Sequence, residues 1–476
     1  MDLKVSKGDV IWSYIAQFFN IGAGLITLPL ILHMLSTEEI AMNYLMMTVG
    51  SLVALIDFGF APQFGRNISY VFSGSQVLLK EGLSDEISDR INYHLLFCLI
   101  KVARKVYLYM SIIILILMLT LGSLYMYHVT DGFTKVENSL SIWVLYSLST
   151  FFNIYFYYYS SLLIGKGLIK EEKKANLYSR IVYIIITYIL LLLNLGLIGV
   201  AIANFIAPFI SRWMSYHYFY DRELVGQLSN ETANSQELNS LFIVIWHNAK
   251  KLGITFVGGY AVMKFSLFIA GLYLTLAEIS SYGLMMQLVA IIATLSTTFF
   301  SSVLPRLSSL RVNGERELMI RESSFAVSVF YVAYFSLTIL LLVLGNSILH
   351  LLGANALLPS FSILVVYSIV TFLENNHSLF GSIITTGNSV PYYKAGIVTG
   401  AFVCLGDYLV LEFSGMGLMG LVLIQGVCQL SYQNWYWPKW ACKELDVSFL
   451  NFTKIGIAGL YNIIIKKGRM LLDSCA

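Results

Sequence analysis

Long apolar runs dominate the pattern of this chain, and twelve of them have the length of a membrane crossing. They fall at 10–35, 39–60, 106–127, 140–164, 178–195, 197–219, 253–274, 280–303, 325–345, 361–386, 395–413 and 417–437. A helix needs about 20 apolar residues to cross the hydrocarbon layer. Backbone groups in lipid must find partners within their own segment, which favours helices. Barrel strands would be about ten residues long and would alternate in polarity, and these runs do not. The pattern predicts an all-α polytopic membrane protein with about 12 transmembrane helices. The first run follows Lys4 and Lys7, but it is longer than the roughly 7–15-residue core of a signal peptide and no small-residue cleavage site closes it. It reads as a retained span. After Trp437 the apolar run Phe449–Ile465 is interrupted by Asn451, Lys454 and Asn462. It reads as an interfacial amphipathic helix rather than a thirteenth span.

Composition agrees with a lipid solvent. Hydrophobic residues make up 57 % of the chain and charged residues 12 %, about half the charged share of a soluble domain. Mean hydropathy is +0.74. The net charge of +3 says little about partners, whereas the placement of the charges fixes an orientation. With a cytoplasmic N-terminus, the inside segments are 1–9, 61–105, 165–180, 212–252, 304–324, 387–394 and 438–476. They hold 28 of the 30 lysines and arginines; Lys135 falls outside and Lys264 within a span. Positive charge gathers on the inner side, so both termini are expected in the cytoplasm. The outside loops are too short to hold a folded domain.

Two motifs recur. Glu39-Ile40 followed by Leu45-Met46-Met47 returns as Glu278-Ile279 followed by Leu284-Met285-Met286, and Gly196-Leu197-Ile198-Gly199 returns as Gly417-Leu418-Met419-Gly420. Each copy sits at the equivalent helix of its half. The expected organisation is a six-helix bundle at 1–220, a cytoplasmic linker at 221–252, a second six-helix bundle at 253–437 and a cytoplasmic tail at 438–476. Two halves that both start inside form a parallel repeat about a pseudo-two-fold axis along the membrane normal, an arrangement suited to alternating access.

Ionisable residues inside spans are the candidates for function, because a charge at mid-bilayer costs about 2.5–3.5 kcal/mol on insertion scales. Lys264, Glu374 and Asp407 lie deep in the seventh, tenth and eleventh spans. Lys264 either holds an anionic group as a point charge or pairs with Glu374 or Asp407 across a bundle interface. Glu374 and His377 are three residues apart on one helix face, which suits either proton carriage or hydrogen-bonded packing. Asp407 has the same double reading. Asp57 and Arg66 near the inner end of the second span, Arg306 at the matching place in the second half, and Arg212 toward the end of the sixth form either an inner gate or ordinary positive flanking. The tyrosines Tyr155, Tyr157, Tyr158 and Tyr159 suit stacking on sugar faces or an interfacial aromatic belt. Pro29 and Pro208 lie within spans, where proline permits bending.

The seven histidines and five cysteines show no metal-ligand spacing, and no C-x-x-C pair occurs. Nor is there a P-loop, a G-x-G-x-x-G turn or a Ser–His–Asp order. No enzyme activity, cofactor, metal or nucleic-acid partner is therefore expected.

The stretch Leu55-Ile56-Asp57-Phe58-Gly59-Phe60 with Arg66 following resembles the D-x-G…R signature at the inner end of the second helix of Wzx-type polysaccharide flippases, in the superfamily that also holds MATE drug exporters and lipid II flippases. The Glu278-Ile279-…-Tyr282-Gly283 turn and the Gly165-Lys166-Gly167 exit from the fourth helix are similar too. The resemblance implies a MATE-like transporter fold in the bacterial inner membrane. It implies ion-coupled movement of an undecaprenyl-pyrophosphate-linked oligosaccharide from the cytoplasmic to the outer leaflet, among membrane lipids and other polysaccharide-assembly proteins. Lys264, with Arg66, Arg306 and Arg212, would face the anionic substrate. Glu374, His377, Asp407 and Asp57 would serve ion coupling or gating. The alternatives are a cation-coupled MATE-type drug exporter, which the mid-span Lys264 disfavours, and a membrane polysaccharide polymerase, which the short outside loops disfavour.

Overall fold

The computed structural model describes residues 27–54, 57, 59–80, 86, 88, 90–312, 314–386 and 391–473. Side chains at 52–54, 248, 251–264, 302, 305, 308–309, 312, 393 and 463–473 lie outside that description. Helices make up most of the described chain. A helix at 27–34 (α1) precedes α2 (Thr37–Ala54), α3 (Phe60–Phe72) and α4 (Tyr93–Leu117). A π-helical turn, Met118–Gly122, joins α4 to α5 (Ser123–Val129). Then follow α6 (Ser139–Phe156), α7 (Tyr158–Gly165), α8 (Ile169–Leu192), α9 (Gly196–Phe219), α10 (Arg222–Ser229) and α11 (Ser235–Tyr273). The rest comprises α12 (Leu276–Val312), α13 (Arg316–Leu351), α14 (Phe361–Thr385), α15 (Tyr393–Phe413), α16 (Gly417–Leu430), α17 (Gln433–Glu444) and α18 (Phe449–Asp473).

Seven described helices are long and apolar enough to cross a membrane. Their outward faces are apolar: Leu124 and Val343, on α5 and α13, are each 68 % exposed. Such faces suit hydrocarbon and would be costly in water. The protein is a multi-pass membrane protein.

The chain divides into two compact units, one of residues 1–260 with Gly353–Asn355, the other of 261–352 with 356–476. Within each unit the repeated motifs meet. In the first, Ser36 and Glu39 cap α2 reciprocally: the Glu39 amide donates to Ser36 Oγ at 3.1 Å and the Ser36 amide to Glu39 Oε2 at 2.9 Å. The other carboxylate oxygen accepts the Leu197 amide at 2.7 Å, at the start of α9. In the second unit Thr275 and Glu278 cap α12 in the same way, at 3.3 and 3.0 Å. One acid thus serves two helix N-termini in the first unit, where anionic groups are favoured. Gly196 and Gly417 take φ of +56° and +52°, a region that glycine enters without penalty. Three residues on, a Cβ on Gly199 would lie 2.8 Å from Leu190 Cβ, and one on Gly420 would overlap Val410 Cγ1. These glycines let α9 close on α8 and α16 close on α15. Glu39→Ala is expected to lower the melting temperature in detergent more than Glu278→Ala, because it also strands the Leu197 amide. The cap alone contributes about 0.5–2 kcal/mol; equal losses would mean that the Leu197 contact adds nothing.

Several expected spans differ in their ends. The second, read as continuous over 39–60, is described as helix over Thr37–Ala54, residues 55, 56 and 58 lie outside the description, and Gly59 at φ +74° opens α3. The fourth is divided at Tyr157 and the twelfth at Ser431–Tyr432. Conversely, much of the inside segments 165–180 and 304–324 is helix. The longest helix, α11, has 39 residues, about 58 Å at 1.5 Å per residue. Hydropathy marks only the part of such a helix that meets lipid, so its polar turns read as loop. The tail forms α18, which packs on α13 through Gly456 and Gly459, beside Ser324, Ser328 and Phe325.

Candidate functional site

Around the middle of α9, proline and its partners shape a cavity in the first unit. Pro208 has no N–H to offer the Asn204 carbonyl one turn back. The Ser149 hydroxyl of α6 donates to that carbonyl at 2.6 Å, and the Ser179 hydroxyl of α8 donates to the Ala207 carbonyl at 2.6 Å. Satisfied from neighbouring helices, α9 runs on through the proline. Beside it lies a cavity of about 110 Å³, lined by Asn153 and Phe156 of α6, Tyr157, Tyr159 and Ser160, Glu172 and Asn176 of α8, and Ser211 and Arg212 of α9. Its polarity is organised by Glu172, which is buried and accepts the Ser160 hydroxyl at 2.9 Å and the Asn176 amide at 2.6 Å. The Lys173 ammonium lies 3.0 Å from its second oxygen. One carboxylate oxygen is thus hydrogen-bonded twice, while the other faces the ammonium as an ion pair without a formed hydrogen bond. Arg212 is held differently, with its guanidinium 5.4 Å from the centre of the Phe156 ring, a cation–π placement that leaves its N–H donors available.

A second polar group lies inside the other unit. Asp407 of α15 is fully buried, and among the described residues neither carboxylate oxygen has a hydrogen-bond partner. The Ser266 hydroxyl of α11 sits close beside it without a well-formed bond. Tyr282 of α12, also fully buried and with no hydroxyl partner among the described residues, lies within electrostatic reach of Asp407. Its ring meets that of Tyr367 edge-on, with centroids 6.3 Å apart. One helical face further, Glu374 accepts the Gln425 amide of α16 at 3.2 Å. The seam crosses helices of one unit. An unpartnered buried carboxylate is costly, and uptake of a proton or a small cation relieves that cost. Carboxylate and hydroxyl oxygens are the ligands that hard cations prefer.

The structure separates the remaining sequence candidates. Glu374 and His377 share α14 but turn to different helices, since His377 Nδ1 lies 2.9 Å from Asn434 Oδ1 on α17. Asp57 and Arg66 do not pair. Asp57 accepts the Tyr107 hydroxyl at 2.6 Å and the Ala61 amide at 3.2 Å, fixing the start of α3 against α4. Arg66 bonds Gln63 on its own helix. Arg306 pairs with Glu322 of α13 at 2.5 Å. The side chain of Lys264 lies outside the described residues, although its backbone belongs to α11. Two of the four clustered tyrosines, Tyr157 and Tyr159, reach the cavity with Arg212. At the exit from α7, Lys166 donates to the Phe219 carbonyl at 2.9 Å and to Asp221 at 2.7 Å. That ammonium, with the Leu224 amide, holds the Asp221 carboxyl below the usual carboxylate range. Sequence reasoning missed Glu172, which reads as one charge among several in an inside loop. Its site arises only when α8 begins at Ile169 and turns it under α7.

No family model matches the chain, and no curated protein matches it. Solved structures do. The lipid II flippase MurJ in an inward closed conformation is 15 % identical over 96 % of this chain and 92 % of its own, with a TM-score of 0.64. A multidrug resistance MATE family transporter of the MOP superfamily, in an inward-facing conformation, is 13 % identical over 90 % and 94 %, with a TM-score of 0.57. The MATE multidrug transporter DinF-BH is 15 % identical over 90 % of this chain and 94 % of its own, with a TM-score of 0.56. At these identities the likeness is one of fold: the chain has the all-helical fold shared by MurJ and the MATE transporters.

Proposed function

We propose that the protein moves a lipid-linked oligosaccharide carrying a pyrophosphate from the inner to the outer leaflet of the bacterial cytoplasmic membrane, driven by an ion gradient. The observation that carries this reading is the cavity of the first unit. It combines the open donors of Arg212, matched to phosphate oxygens, with the phenol groups of Tyr157 and Tyr159 and the amides of Asn153 and Asn176, which suit hydroxyl-rich sugars. The lipid II flippase among the structural neighbours supports the substrate class. Lys264, deep in its span, would add a second cation along the path. Asp407 would take up the coupling ion.

The drug-exporter reading shares the fold. Against it stands Glu172, the acid of the cavity, which already has one oxygen bonded to Ser160 and Asn176 and the other facing the Lys173 ammonium.

Deletion of the gene in its host, followed by location of lipid-linked oligosaccharides by leaflet, tests the proposal. Accumulation on the cytoplasmic face with loss of surface polysaccharide is expected. Normal glycan export with increased sensitivity to cationic drugs would overturn it in favour of drug export.

A further inference from the structure

Where α4 begins, three residue types that bind metals converge. His94 and Cys98 are four residues apart, one above the other on the same helix face. Glu237 arrives from the first turn of α11. One ligand atom from each of the three lies within 4.8 Å of those of the others. His94 Nε2 is 3.7 Å from Cys98 Sγ and 3.5 Å from Glu237 Oε2. Bonds of about 2.0–2.1 Å to nitrogen and oxygen and about 2.3 Å to sulfur, at tetrahedral angles, place ligand atoms about 3.3–3.6 Å apart. The two spacings from His94 Nε2 fall close to this range, and the third, between Cys98 and Glu237, lies within 4.8 Å.

The surroundings support the cluster on two further counts. Glu231 Oε2 lies 2.8 Å from His94 Nδ1, so this nitrogen carries the proton and donates it. In the neutral imidazole, the form that binds a metal, Nε2 then carries the lone pair and lies toward Cys98 and Glu237. A ring nitrogen bonded to a carboxylate behind a metal-binding histidine is the usual way to fix its tautomer and orientation. Glu237 is itself held, because its carboxylate accepts the Asn234 amide at 3.1 Å as the start of α11 is capped. Leu224 and Leu228 of α10 and Leu241 and Ile245 of α11 pack with Leu96 and Leu99 of α4 in one core, which brings the acidic turn onto the histidine. Cys98 is buried, 4 % exposed, whereas the His94 and Glu237 side chains are 46 % and 52 % exposed. The site thus has a buried sulfur and a side open to solvent.

We propose that His94 Nε2, Cys98 Sγ and Glu237 bind one Zn²⁺, with Glu231 orienting His94 and a water completing the tetrahedron. The Cys98 thiol gives its proton to solvent as the Zn–S bond forms. The mixed nitrogen, sulfur and oxygen set favours zinc over magnesium or calcium, which take oxygen ligands alone. The bound ion clamps the first turn of α11 to the head of α4.

The test uses the purified full-length protein in detergent, stripped with a chelator and titrated with Zn²⁺, and with Co²⁺ as the spectroscopic probe. One zinc per chain is expected, and the Co²⁺ form should show a thiolate-to-cobalt charge-transfer band that Cys98→Ser removes. His94→Gln and Glu237→Gln alter exposed groups, and each should lower zinc affinity at least tenfold. Glu231→Gln should weaken it by roughly 10–100-fold while keeping the cobalt band. No saturable zinc binding, or wild-type affinity in both His94→Gln and Glu237→Gln, would overturn the proposal. Those two variants decide the matter even if Cys98→Ser fails to fold. The readout is metal binding, so it does not depend on the transported substrate.

Discussion

Asp407→Asn is expected to make transport insensitive to the ion gradient and to cut flux at least tenfold, while the protein inserts normally and melts at or above the wild-type temperature. The physical basis is the burial of a carboxylate whose two oxygens have no hydrogen-bond partner among the described residues. An uncompensated buried charge costs several kcal/mol, whereas a neutral amide of the same shape leaves a desolvation penalty of about 1–3 kcal/mol. Asparagine therefore removes the group that needs an ion and relieves the fold of that need. Vesicles with imposed proton or sodium gradients provide the measurement. Glu374→Gln is the informative companion: Gln425 already donates to Glu374, and a glutamine carbonyl can accept the same bond, so a smaller change in gradient response is expected. A wild-type gradient response in Asp407→Asn would make that residue structural.

Arg212→Ala is expected to reduce flux of the lipid-linked glycan by about 10–100-fold, the equivalent of losing one charge-assisted hydrogen bond at about 1.5–3 kcal/mol. Stability should change little. The guanidinium is exposed and rests on Phe156, a contact of about 0.5–1 kcal/mol at such a site. Arg212→Lys should recover only part of the flux, because an ammonium cannot match a phosphate with two parallel donors. Wild-type flux in Arg212→Ala would remove the cavity from the substrate path. Together the two variants separate substrate binding from ion coupling, since they act on different units of the chain.

The apolar runs were sufficient for the fold class, because lipid forces each crossing segment to satisfy its own backbone and so writes each helix as a run of residues. The repeat was legible for a related reason. Glu39 with Gly196, and Glu278 with Gly417, mark helix starts, where capping and positive φ restrict the residue types. Asp407 was legible as a candidate because charge within a span is rare enough to stand out. Contacts between segments distant in sequence were not legible. That Glu374 and His377 turn to different helices depends on where α16 and α17 pack. Asp57 finds Tyr107 rather than Arg66 because α3 starts afresh after a glycine. Glu172, ordinary in the sequence, becomes the centre of a cavity once α8 begins beneath α7. His94 and Cys98 show no ligand spacing with any other histidine or cysteine; their third partner, Glu237, is remote in the chain and arrives only when α10 and α11 fold back on α4. The sequence by itself determined the all-helical, multi-pass fold class, since suitability for lipid is a property of each segment's own composition. The tertiary structure alone decided which polar groups meet, since that depends on the angles and registers at which helices pack, and these follow from side-chain fit between segments far apart in the chain.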